Sequence, residues 1–228
     1  MSPAWAATRP KAPVLGFDLG YLRELAEDAS EHPGWSGAAD YFRLRHQGLR
    51  REALEALDTF VAEAVSWPLA DRVAFAAWIG EKRLAYRGQP EAVLPVPLFR
   101  LLVRPALEEW VAAKPADPWP LVWLARLSSG GATWHAPPAP FLRQALARDP
   151  LCVPARVDLV RAILADIAFH QHELPGAYLG DPAHDLSALD EAEDLLSLAD
   201  EDARFDIGPE IAWARTEARD WLERAGTG

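Results

Sequence analysis
Three residues in the C-terminal half have the types and spacing for chemistry: Asp166, His170 and Glu173. Steps of four and three positions put them on one face of a helix, provided that the helix reaches Glu173. Two carboxylates and an imidazole on one face could bind a divalent cation or move a proton. One helix supplies too few ligands to close a metal site, and a histidine near a helix C-terminus is already favoured by the helix dipole. No catalytic residue, metal or cofactor is therefore assigned. Tyr178 and Asp181, in the adjoining 174–181 loop, could complete a small polar pocket with His170 and Glu173, since loops often carry binding residues. Asp181 also reads as a helix cap followed by proline at the first helical position. His172, two residues from His170, points elsewhere, over Ala168 and Phe169, and reads as a core histidine.

Two other groups carry less. Arg43, Arg45, His46, Arg50 and Arg51 form a basic cluster near Tyr41 and Phe42. It could hold a phosphate or an acidic peptide, but a solvated helical face, or internal pairing with the acidic segment 181–224, accounts for it more simply. Cys152 is the only cysteine, has no neighbouring base and reads as a buried, inert thiol. Phosphate-binding glycine loops, nucleophile elbows, zinc-protease motifs and calcium-binding loops do not occur, which lowers the weight of the common enzyme classes.

The elements that would position these residues read as helices throughout, because no segment alternates apolar and polar residues as a strand does. Early stripes are Tyr21, Leu22 and Leu25; then Leu54, Leu57, Val61 and Val65; then Val73, Ala77, Trp78 and Leu84. The proline-rich stretch 88–97 is the candidate boundary between two halves, 18–87 and 97–224, of a single helical domain over 1–228. The segment 154–173, with Leu159, Val160, Ile163, Leu164 and Ile167, is apolar over a wide face and should be a central helix covered on more than one side.

The chain is organised around residues 97–173. Ala106, Trp110 and Ala113 share a helix face, and Asp117-Pro118 stops that helix because a residue before proline is pushed out of the α region. A second helix follows at once, with Trp119, Trp123, Leu124 and Leu127 on its inner side. Leu142 and Ala145 then lead into Asp149-Pro150, 32 residues after the first stop. Here the chain resembles the tetratricopeptide repeat family, in the order small, large, small, proline at Ala106, Trp110, Ala113 and Pro118. Ala145 and Pro150 match the last two of these. Residues 128–140 and 172–185 depart from the family pattern. The resemblance covers about half of the chain and implies antiparallel helical hairpins stacked as a short superhelix, which would bind a partner on its inner face.

Composition narrows the partners. A net charge of −11 argues against nonspecific nucleic-acid binding, which needs cations to neutralise phosphates. Residues 181–224 hold 14 acidic and 4 basic side chains, so the remainder is close to neutral. Twenty arginines against three lysines read as genome composition bias. The first residues contain no apolar core of a secretory signal, and no run approaches the ~20 apolar residues of a membrane helix. A cytoplasmic protein with no membrane association is expected. Ten tryptophans are a high count, many of them expected as helix-packing anchors, but Pro120 and the 128–140 loop interrupt the helices around four of them. The expected function is thus a non-catalytic all-α scaffold that binds a protein or peptide, with Trp110, Trp119, Trp123 and Trp134 as candidate anchors. The alternative is an enzyme or ligand-binding protein centred on His170, Glu173, Tyr178 and the 174–181 loop.

Overall fold
A computed structural model describes residues 19–86, 90–128 and 137–226. Among them the chain is all-helical and contains no strand. It forms two compact units: 19–86, 90–113 and 127–128 belong to the first, 114–126 and 137–226 to the second.

The first unit begins with α1 (Leu19–Ser30), α2 (Ser36–His46), α3 (Arg50–Ala64) and α4 (Leu69–Ala85). Two short helices, α5 (Pro90–Val93) and α6 (Val96–Leu98), lead through a π-helical turn at Phe99–Val103 into α7 (Arg104–Ala113). Helix α1 packs on α2, α2 on α3, and α4 on α7. The stretch 90–97 packs against α4 and α3, so the segment offered by the sequence as a boundary folds as part of this unit.

Aromatic side chains fill the core. Phe75 lies 5.1 Å from Phe60 and 5.3 Å from Trp35, and Trp35 lies 5.1 Å from Trp78. The Trp78 indole donates to Asp28 at 3.1 Å, and Lys82 reaches the same carboxylate oxygen at 2.5 Å. The hydrogen bond from Lys82 holds the Asp28 carboxyl below the usual carboxylate range.

Two stripes are rotated from the faces expected. In α3 the buried residues are Ala53, Leu57, Phe60, Val61 and Ala64, while Leu54 and Val65 are exposed. In α4 they are Phe75, Ala76, Ile79 and Gly80, and Leu84 is exposed. In α3 alanines hold positions that the sequence reading gave to leucine and valine. Ala38 and Ala39 of the adjacent α2 are also buried, and small residues let helices approach closely. The basic cluster is partly satisfied along its own helices, where Arg43 pairs with Asp40 and Arg51 with Glu55.

The second unit contains α8 (Trp119–Ser128, up to Arg126), α9 (Pro138–Arg148), α10 (Val153–Gln171), α11 (Pro182–Ser197) and α12 (Glu201–Gly226). Helix α10 packs against α9, α11 and α12. Residues from Ala155 to Gln171 are buried on several sides of it, including Leu159, Val160, Ile163, Leu164 and Ile167. Arg126 of α8 donates to Asp158 of α10 at 2.6 Å. Arg156 is 4% exposed; it donates to the carbonyl of Leu198 at 2.7 Å and to that of Pro150, tying the α9–α10 and α11–α12 turns together.

Each helix that begins after an Asp-Pro step is introduced in the same way. Asp117 accepts the backbone N–H of Trp119 at 3.0 Å, and Asp149 accepts that of Leu151 at 2.9 Å. Asp181 accepts that of Ala183 at 2.9 Å. These are Asx turns, in which a short carboxylate mimics a backbone carbonyl and reverses the chain. The three aspartates are spaced by 32 and again by 32 residues. Between the second and third steps, a single long helix and the 172–181 segment occupy the length that holds two helices elsewhere in this unit.

Candidate functional site
The polar residues singled out in the C-terminal half meet a partner that the sequence reading did not include. Asp185 is the fourth residue of α11 and is 1% exposed. It occupies the first position of the helix's buried stripe, followed by Leu189, Ala192 and Leu196. Its carboxylate lies 2.9 and 3.1 Å from Nδ1 of His170 and accepts the Tyr178 hydroxyl at 2.8 Å. A carboxylate only accepts, so Nδ1 carries the imidazole proton, and in the neutral ring Nε2 keeps the lone pair.

The surrounding chain holds these groups in place. Gln171 donates from its amide to the Tyr178 hydroxyl at 3.2 Å and to the carbonyl of Ala214 at 2.8 Å. Leu179 donates its backbone N–H to the His170 carbonyl at 2.8 Å, which satisfies one of the free carbonyls at the end of α10. Gly180 lies against the imidazole: a Cβ there would meet Nδ1 in a clash and Cγ at 2.5 Å. Only glycine lets the backbone come this close to the ring. Burial, and then the hydrogen bond donated to Asp185, push the Tyr178 hydroxyl well above its ordinary range. One bonded group thus joins α10, the 174–180 turn, α11 and α12.

The side chains grouped by the sequence reading do not all converge. Helix α10 ends at Gln171, so Glu173 is off the helix; it pairs with His172 at 3.1 Å. Asp166 is exposed. His172 is an exposed surface residue stacked on Phe169, not a core histidine, because the helix face at Ala168 and Phe169 is itself exposed. Asp181 serves as the cap of α11. Among the described residues no group of three or more His, Cys, Asp or Glu side chains could hold a metal ion. Cys152 is buried just before α10.

What the site can do chemically is limited to one imidazole. The His170 side chain is 21% exposed, and a buried carboxylate orients it, an arrangement that suits a general base or a single ligand.

The tryptophans separate by exposure. Trp110, in the first unit, is half-buried. Trp123 is buried in the second unit, with the Arg126 guanidinium 6.0 Å from its ring. Trp119, the first residue of α8, is 42% exposed and so lies off the inner side expected for it, where Trp123, Leu124 and Leu127 are buried. Its backbone is held by the Asp117 turn, and the Asp117 carbonyl in turn accepts from Arg148 at 3.0 Å. Trp134 lies outside the described residues.

No family model, curated protein or solved structure matches this chain. Among the described residues no helix is long and apolar enough to cross a membrane.

Proposed function
We propose that the protein is a non-catalytic helical scaffold, built from degenerate tetratricopeptide-like helical pairs, that binds a protein or peptide segment. The observation that carries this reading is the recurrence of one Asx turn at Asp117, Asp149 and Asp181, at a constant interval of 32 residues. Self-similarity at about this period is the signature of helical-hairpin repeats, which stack to bury a shared core and bind along an exposed surface. Trp119 follows the first of these turns directly. An indole that is both exposed and mounted on a fixed turn loses little freedom when a partner covers it, which is what a binding anchor requires.

The test is affinity capture from the native cell with the full chain as bait, followed by mass spectrometry, in parallel with Trp119→Ala. The reading expects specific partners with the wild type, their loss with Trp119→Ala, and a nearly unchanged melting temperature. Equal capture by both proteins overturns Trp119 as the anchor, and no specific partner with either overturns the scaffold reading.

A second reading is favoured by one specific observation, the 2.9 Å contact that fixes the His170 tautomer. On that reading the protein binds or turns over a small ligand at Nε2. It requires that His170→Ala remove the activity while leaving partner capture intact.

A further inference from the structure
The first unit contains a cleft of about 260 Å³ lined by His32, Pro33, Gly34, Trp35, Trp67, Asp71 and Ala74. It belongs neither to the His170 network nor to the surface around Trp119. Its walls combine two indoles and an imidazole with one carboxylate. His32 stacks on Trp35, with ring centroids 4.1 Å apart, so one side of the cleft is a double aromatic layer. Trp67 is half-exposed and meets Phe60 and Phe75 only at 75° and 80°, so among the described residues no aromatic ring stacks on it. Gly34 has φ +87°, a conformation that other residues adopt at a cost, and a Cβ there would stand 4.0 Å from the Trp67 ring. Glycine therefore lets the chain make this turn beside Trp67.

The charges around the cleft are arranged so that the carboxylate is left over. Asp71 lies in the first turn of α4 and is exposed. Among the described residues its side chain makes no hydrogen bond or ion pair. The neighbouring cations are engaged elsewhere: Arg72 bonds to Glu109 at 2.6 Å and to the Trp67 carbonyl at 3.1 Å, and Lys82 bonds to Asp28. An anion beside aromatic faces attracts a cation by two additive routes, Coulombic attraction and the ring quadrupole. A bare ammonium is strongly hydrated and needs three acceptors. A cleft with one carboxylate replaces that hydration poorly. An alkylated ammonium gives up little water and offers methyl groups to the rings. The volume lies at or below the small end of ligand pockets, which fits a head group better than a large molecule.

We propose that this cleft binds an alkylated ammonium group, carried either by a free small molecule or by a methylated lysine side chain of a peptide. The full chain is titrated by calorimetry with choline and with its neutral isostere 3,3-dimethylbutan-1-ol. Separate titrations use a glycine-flanked trimethyl-lysine peptide and the same peptide with norleucine. The proposal expects saturable binding of a cationic probe, at least about tenfold weaker binding of its neutral counterpart (about 1.4 kcal/mol), and a similar loss in Asp71→Asn. Trp67→Leu should weaken the same probe. Asp71→Asn changes an exposed side chain and keeps the test valid if Trp67→Leu lowers the melting temperature. Tighter binding of choline identifies a free ligand, and tighter binding of the peptide identifies a side chain. Equal binding of cationic and neutral probes, no saturation with any probe, or unchanged binding in Asp71→Asn overturns the proposal.

Discussion
Replacing Asp185 by alanine tests whether the network around it holds the second unit together. The side chain is almost fully buried and accepts two hydrogen bonds, from His170 and Tyr178. Bonds to a charged group are worth about 1.5–3 kcal/mol each. Three considerations reduce the sum. The substitution also removes a desolvated charge, which relieves part of the burial cost. His170, at 21% exposure, and the half-buried Tyr178 can each regain some water. The expected net loss is about 2–4 kcal/mol in urea denaturation. Asp185→Asn keeps one carbonyl acceptor and should lose about half as much, roughly 1–2 kcal/mol. Tyr178→Phe removes one donor to that charged group and should lose about 1.5–3 kcal/mol. If Tyr178 acts through Asp185, the double variant should cost less than the two single losses added, by about 0.5–2 kcal/mol. An Asp185→Ala protein within about 0.5 kcal/mol of wild type, the range of ordinary surface changes, would refute the reasoning, as would strict additivity with Tyr178→Phe.

Ile163 lies in the buried part of α10, and Ile163→Ala should lose about 2–5 kcal/mol by the same assay. Gly180→Ala places a Cβ inside contact distance of the His170 ring, and the displaced imidazole should leave Asp185; the expected loss is about 1–3 kcal/mol, with a change in the His170 ring resonances by NMR. Burial pushes the Tyr41 hydroxyl up to about 12, so between pH 10 and 12 the unfolded chain loses this proton first. Stability should therefore fall as the pH rises through that window, by about 1.4 kcal/mol per pH unit for this group. Alkaline titration of the melting temperature should show a shallower fall in Tyr41→Phe; an unchanged slope would contradict the assignment.

Much of the helical order was legible because apolar residues recur at helical spacing, and the end of α9 before Asp149-Pro150 was readable from backbone sterics alone. Helix α7 stops earlier than the expected Asp117-Pro118, at Ala113, because Lys114 already precedes a proline, Pro115. The faces of α3 and α4 were harder to read. A stripe sought among leucines and valines passes over Ala53 and Ala64, whose smallness suits them to a close crossing. Asp185 was missed for a related reason. An acidic residue in the first turn of a helix reads as a favourable dipole partner, and its place on the stripe with Leu189, Ala192 and Leu196 was the available signal. Its partners come from α10 and from the 174–180 turn, and no local pattern specifies how that turn folds back. The third Asx turn had a readable local cause at Asp181-Pro182. Its equivalence to the other two is seen when the three hydrogen bonds are compared.

The scaffold reading is tested most directly by hydrogen–deuterium exchange on the full chain, free and saturated with a partner recovered by affinity capture. The account predicts that bound partner protects the segment from Asp117 through the first turns of α8, and that this protection disappears in Trp119→Ala. Protection confined to the 170–185 segment, with the α8 region exchanging as in the free protein, would contradict it and place the functional surface at His170.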